Sequence, residues 1–488
     1  MTRKGASMSR RRVFGVQVTA AAVLVVAGCS TTLQGRPVSV FDDPFRVAGM
    51  VATDGPTGLR PDAEAPGRDV VGSDGGDIDA LAAAAVSDVE EFWTQAYPET
   101  FAGEQFTPIE TLMSWNSSEF DGMFCGIDTI DLVNAGFCLE ENTIGWDRGE
   151  LLPALRAANG DMGVAMVLAH EYGHTIVRQA ELNDPDTPVL VPEQQADCFA
   201  GAYMRWVAEG SSPRFTLSTA DGLNGVLSAV IAFRDPLFSE GDLFAALDEH
   251  GSAFERVSAF QFGFTDGPSS CAAIDLREIG QRRGDLPVLL AEDQTGELPV
   301  TAESVRSIVD ALTITFEPAR PPQLDFDADA AQTCPDARPS PPVSYCPATG
   351  RLVVDLAELQ IMGAPQEEVD TNGLANGDNT AYSVLMSRYL QAVQHEQGLV
   401  LDTAEAALRT ACLTGVATSL LSRDVTTPDG STIALTAGDL DEAVSGILTN
   451  GLAASDVNGD SVPSGFSRID AFRVGVLGDE QRCLTRFP

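Results

Sequence analysis

The feature that most constrains the fold is that the chain repeats itself. GDMGVAMVLAHEYGHTI at 160–176 overlays GDNTAYSVLMSRYLQAV at 377–393, and QADCFAG at 195–201 overlays RTACLTG at 409–415. SAFERVSAFQFG at 252–263 overlays SGFSRIDAFRVG at 464–475. GFCLEENTIGWDRGELL, beginning at Gly136, is echoed by SYCPATGRLVVDLAEL at 344–359. A period of roughly 210 residues is too long for a solenoid repeat, so it predicts two tandem domains of one fold.

The first copy carries chemistry that the second lacks. His170-Glu171-Tyr172-Gly173-His174 reads H-E-x-x-H inside an apolar run of helical spacing. Positions i and i+4 share a helix face, so His170 and His174 can hold one Zn²⁺ while Glu171 reaches a water beside it. Glu193 follows His174 at a distance that suits a third ligand, on a second helix-like run, EQQADCFAGAYMRWVAE. Asp197, one turn on, is placed to accept the outer N–H of a ligand histidine. The aligned residues of the second copy are Ser387, Arg388, Gln391, Ala407 and Ala411, so zinc is expected at one site per chain. His395-Glu396 does not restore the motif, because Leu399 stands where the second histidine should be. Asp456, Asn458 and Asp460 hint at calcium but lack an EF-hand's glycine and closing glutamate, and read better as a polar turn.

Residues 1–28 read as a targeting segment. Arg3, Lys4 and Arg10 to Arg12 precede an apolar stretch that ends in Val26-Ala27-Gly28-Cys29, a lipobox-like sequence. Cys29 would then be the acylated first residue of an exported lipoprotein, held at the extracytoplasmic face of the membrane by its lipid alone. Arg11-Arg12-Val13-Phe14 also resembles a twin-arginine signal. Residues 29–75, rich in Gly, Pro and Asp, read as a flexible tether. The formal charge of −41, with no basic cluster past the leader, argues against nucleic-acid binding.

The segments V-E-E-F-W-T-Q, the C…GFC loop, AHEYGH, EQQADCFAGAY and H-G-S-A-F-E-R-V-S-A-F-Q-F-G-F together resemble the bacterial neutral zinc metallopeptidases over residues 85–270. The resemblance implies an α+β, zincin-like (gluzincin-like) domain over 76–274, with His170, His174 and Glu193 as zinc ligands and Glu171 as catalytic base. After a linker at 275–303, residues 304–488 would form a degenerate, metal-less copy. It supplies no substrate beyond a peptide or protein of the cell envelope. This copy has Thr175-Ile176-Val177 where a further histidine is common. His250 and Tyr203 are the candidates for stabilising an oxyanion, and TIGWD at 143–147 for an edge strand that pairs with substrate. The alternative is a binding or scaffold lipoprotein with a vestigial site.

Eight cysteines besides Cys29, in an exported chain, favour disulfides. Equivalent cysteines should pair equivalently, giving Cys125–Cys138 with Cys334–Cys346, and Cys198–Cys271 with Cys412–Cys483. A cysteine-ligated metal competes with that reading, although no C-x₂-C spacing exists.

Overall fold

The alanine-rich stretch after Gly76 buries a nearly continuous face and forms α1 (Asp77–Thr100). Asp147 then starts α2 (Leu151–Gln179): its carboxylate accepts the N–H groups of Gly149, Glu150 and Leu151 at 2.8–3.0 Å, satisfying donors that a helix start leaves open. Gly160, at φ 71°, breaks α2 into two segments, and the H-E-x-x-H lies in the second. The rest of the first half is α3 (Leu190–Ala208), α4 (Asp221–Ala232), α5 (Ala253–Asp266), α6 (Pro268–Cys271) and α7 (Leu276–Arg283). The second half contributes α8 (Ala302–Phe316), α9 (Leu356–Met362), α10 (Asp378–Glu396), α11 (Ala404–Leu420), α12 (Asp439–Thr449), α13 (Gly465–Val476) and α14 (Glu480–Arg486). The computed structural model describes residues 43–239, 250–283, 286–291, 294–365 and 374–488. Cys29 and the leader lie outside the described residues.

Each half has one small mixed sheet. In the first, the order is Val70–Val71, Thr111–Trp115, Thr143–Asp147, Ala135–Cys138, with the last pair antiparallel and the others parallel. In the second, the order is Gln323–Asp325, Arg351–Val354, Val343–Cys346, again with only the last pair antiparallel. The chain is thus mixed α+β. TIGWD is not an edge strand: all five of its residues are buried between Thr111–Trp115 and Ala135–Cys138. The edge is Ala135–Cys138, because the hairpin folds this strand over the outer side of Thr143–Asp147.

Close helix contacts recur in both halves. A Cβ on Gly263 of α5 would sit 1.7 Å from the carbonyl oxygen of Cys198, and one on Gly475 of α13 would sit 1.8 Å from that of Cys412. Only glycine allows either approach. Disulfides tie each of these packing helices to the short helix that follows its partner: Cys198–Cys271 joins α3 to α6 and Cys412–Cys483 joins α11 to α14. Cys125–Cys138 and Cys334–Cys346 close short loops before the sheets' last strands.

The described residues from 43 onward belong to one compact unit with a continuous apolar core. The halves meet reciprocally. Asn224 of α4 accepts the Gly465 N–H at the start of α13 (2.8 Å), and Asp441 of α12 accepts the Phe254 N–H at the start of α5 (3.1 Å). Phe264 and Phe466 lie against each other across this seam, with centroids 5.0 Å apart.

Two expected boundaries shift. Residues 43–75 are not a free tether: Val47 is fully buried, Gly58–Leu59 pairs with Phe215–Thr216, and Val70–Val71 joins the first sheet. These two-residue strands leave no periodicity to read. Part of the 275–303 linker is α7, whose Arg282 is buried and donates to Gln194 Oε1 (3.1 Å) and the Glu255 carbonyl (3.2 Å).

Candidate metal centre

α2 and α3 cross at Gly173, where a Cβ would sit 2.7 Å from the Cα of Ala196. This contact brings the H-E-x-x-H turn onto the first turns of α3. His170, His174 and Glu193 each place one donor atom within 4.8 Å of the others. Glu193 Oε2 lies 3.2 Å from His170 Nε2, and Glu193 Oε1 lies 3.4 Å from His174 Nε2. Oε2 is buried without a hydrogen bond. A buried carboxylate oxygen left open beside two imidazole nitrogens is a poor arrangement by itself and a good one for a cation. Two nitrogens and one carboxylate are a donor set that zinc accepts, with room for a further ligand. The fit is to a metal; the ligand chemistry alone does not select zinc from its neighbours in the transition series.

Asp197 is fully buried behind the ligands. It accepts His170 Nδ1–H at 2.8 Å, which leaves Nε2 facing the centre. Asp197 is itself gripped by Arg256 of α5, Nη2 to Oδ1 at 2.8 Å and Nε to Oδ2 at 2.9 Å. Burial opposes charge on Asp197, but Arg256 and His170 together outweigh it and hold the carboxyl below its usual range. Burial also opposes charge on His170, yet Asp197 and Glu193 push it up to about 10. Burial pulls His174 down to about 4.

Glu171 is not among the converging donors. Its Oε2 accepts the Phe137 N–H of the edge strand at 3.0 Å, and burial pushes its carboxyl up to about 7. A proton-transfer group benefits from a value near the working pH. His250 lines the same cleft, with Nε2 4.0 Å from Glu193 Oε2. Asp235 orients it, accepting from Nδ1 at 3.2 Å and from the His250 and Gly251 N–H groups at 3.0 and 2.7 Å. The hydrogen bond to Asp235 raises the His250 pKa despite partial burial. Tyr203 is elsewhere: its buried hydroxyl donates to Asp88 Oδ2 at 2.9 Å and does not line the cleft. That position on α3 faces α1, so Tyr203 cannot serve an oxyanion here.

The cleft has a volume of about 1310 Å³. One wall is the unpaired edge of Ala135–Cys138; the others are α2, α4 and the segment 233–238. Met166, Val177, Val230 and Phe233 make much of the lining apolar.

Arg256 and Asp235 are the residues that sequence reading passes over. Arg256 left a signal: with Glu255 it is one of two charges in an otherwise apolar helical run, and it recurs as buried Arg468. Arg468 has no carboxylate and donates instead to the carbonyls of Ile447, Leu448 and Val462. Asp235, beside Pro236, left none.

The corresponding region of the second half is filled. Arg388 is fully buried, donating to the Val343 carbonyl at 3.0 Å and the Leu452 carbonyl at 3.2 Å. Gln391 donates to the Ser455 carbonyl at 3.1 Å. Asp456 accepts the Asn458 and Asp460 N–H groups and so closes its own turn. No known protein family, characterised protein or solved structure matches the chain.

Proposed function

We propose that this chain is a zinc-dependent peptidase built as a tandem duplication with zincin-like architecture, in which the second copy has exchanged its chemistry for packing. One observation carries the reading. Two imidazoles one turn apart and an orphaned carboxylate oxygen converge on the floor of a cleft walled by a strand edge that no other described strand covers. His170, His174 and Glu193 would hold the ion. Bound there, zinc would supply Lewis-acid polarisation of a carbonyl and lower the pKa of water.

The chain's own residues do the rest. Glu171 takes a proton from the attacking water at its carboxylate and returns it to the leaving amine. Its hydrogen bond from Phe137 keeps that carboxylate at the cleft wall. His250, held by Asp235, would in its protonated form donate from Nε2 toward the oxygen on which negative charge develops. Arg256 and Asp197 fix the tautomer and tilt of His170. A peptide would lie along Ala135–Cys138 as an added strand, with apolar side chains against Met166, Val177 and Phe233.

Disulfides suit an oxidising compartment, which supports export, and no described helix is long and apolar enough to cross a membrane. Lipidation at Cys29 would hold the enzyme at the extracytoplasmic face, where envelope proteins or peptides are its substrates. The test is cleavage of a degenerate peptide library, read by mass spectrometry, for the parent and Glu171→Gln. We expect discrete cleavage sites that the variant loses. A zinc-loaded parent that cuts nothing, or a variant that cuts equally, would refute the peptidase reading.

A further inference from the structure

We propose that Asp378, Asp439 and Glu442 form a second cation site, for Ca²⁺, where α10 and α12 begin. One oxygen of each lies within 4.8 Å of the others, and all three residues are buried. Donors on a coordination sphere of about 2.3–2.6 Å radius are at most about 5 Å apart, so the three oxygens fit around one ion. Every donor is oxygen, which selects a hard cation over zinc.

Helix capping accounts for only part of this cluster. Glu442 Oε2 accepts the Asn379 N–H at 2.7 Å, and Asp439 Oδ2 accepts the Thr436 N–H at 2.7 Å. Asp378 accepts the Leu298 N–H. Each carboxylate spends one oxygen this way. Asp439 Oδ1 remains buried with no donor. Glu297 adds a fourth carboxylate, accepting the Asp378 N–H at 3.3 Å.

An independent observation points to a ligand. Asn379 is 1% exposed, and its Oδ1 is buried without a partner. Its Nδ2 is fixed on the Asp439 carbonyl, and the residue lines the same cavity as Asp378 and Asp439. An amide oxygen without a partner beside three converging carboxylates is the kind of donor a calcium site recruits. The charges that bear on the three carboxylates are each other's and that of Glu297, all negative. The chain's only lysine is Lys4. Burial pushes the Glu442 carboxyl up to about 9 and the Asp378 carboxyl up to about 7, as expected of a cluster lacking its counter-charge. A cavity of about 360 Å³ adjoins Asp378, Asn379 and Asp439 and is also lined by Tyr382, while Glu442 lines the neighbouring cavity.

The site would tie the start of α10 and the segment at 297–298 to α12, whose Asp441 caps α5 of the first half. It is independent of the peptidase reading.

The test uses the full chain, zinc-loaded, with Ca²⁺ and Tb³⁺ as probes. Equilibrium dialysis with radioactive Ca²⁺ should find one tight site, and 1 mM Ca²⁺ should raise Tm by roughly 2 °C or more. Tb³⁺ at stoichiometric concentration should emit on tyrosine excitation, through Tyr382. Glu442→Gln should lose tight Ca²⁺ and the Tb³⁺ signal. Tyr382→Phe should keep Ca²⁺ and lose the Tb³⁺ signal, which guards against a Glu442→Gln chain that fails to fold. A folded parent that binds no Ca²⁺ at 1 mM, or a Tb³⁺ signal that survives Tyr382→Phe, would overturn the assignment.

Discussion

Replacing Asp197 by Asn is the sharpest probe of how the first half is organised. The carboxylate is fully buried and accepts three hydrogen bonds, one from His170 and two from Arg256, at 2.8–2.9 Å. Asn keeps the shape but offers one acceptor oxygen and an NH₂ group. That NH₂ must face either the guanidinium or the imidazole, donor against donor, and Arg256 is left without its counter-charge. Breaking a buried charge pair from one side costs about 3–5 kcal/mol. Spread over a chain of this size, that is a fall in Tm of about 4 °C. Losing the outer partner of a metal-bound histidine typically costs about 10–100-fold in metal affinity. Thermal unfolding in excess chelator isolates the first effect, because no metal is bound there. Competition for zinc with a chelating dye isolates the second. If Asp197→Asn melts lower yet binds zinc as tightly as the parent, the residue is structural only. If neither property changes, the His170–Asp197–Arg256 chain is wrong.

Three further outcomes follow from the same geometry. Glu171→Gln should retain zinc, since Glu171 is not one of the converging donors, while peptide hydrolysis falls by about 10²–10⁴, measured under single-turnover conditions. Gly263→Ala and Gly475→Ala should each destabilise by roughly 3 kcal/mol in urea unfolding, because the new methyl meets a backbone carbonyl that cannot move aside; a neutral result at either would mean the helices are farther apart than described. Replacing both Cys198 and Cys271 by Ser should cost roughly 4 kcal/mol on the chain-entropy account of a 73-residue separation, and peptide mapping without reduction should recover the 198–271 and 412–483 pairs from the parent.

How much of this was legible beforehand depends on the kind of signal. The H-E-x-x-H helix was readable because its apolar spacing and its histidine spacing agree. The disulfide pairs were readable because the two similar stretches of sequence carry their cysteines at matching positions. The strand TIGWD was visible, but its neighbours were not: which strand lies at an edge is decided by pairing between segments distant in sequence. Residues 43–75 looked unstructured because strands of two residues leave no period. Tyr203 looked available because its neighbours are site residues, yet helical rotation turns its hydroxyl toward Asp88. Arg256 was hidden for the opposite reason. An arginine is expected at the surface, and its burial rests on partners distant in sequence, chiefly the carboxylate of Asp197, 59 residues earlier.

The central claim is a single three-residue zinc centre in the first half, and metal content tests it most directly. Elemental analysis of protein purified without chelators should give about one zinc per chain, falling to none in His170→Ala. X-ray absorption should report two nitrogen ligands and a carboxylate oxygen around that ion. Two zinc ions per chain, sulfur in the first shell, or a folded parent that takes up no zinc when it is supplied would contradict the account.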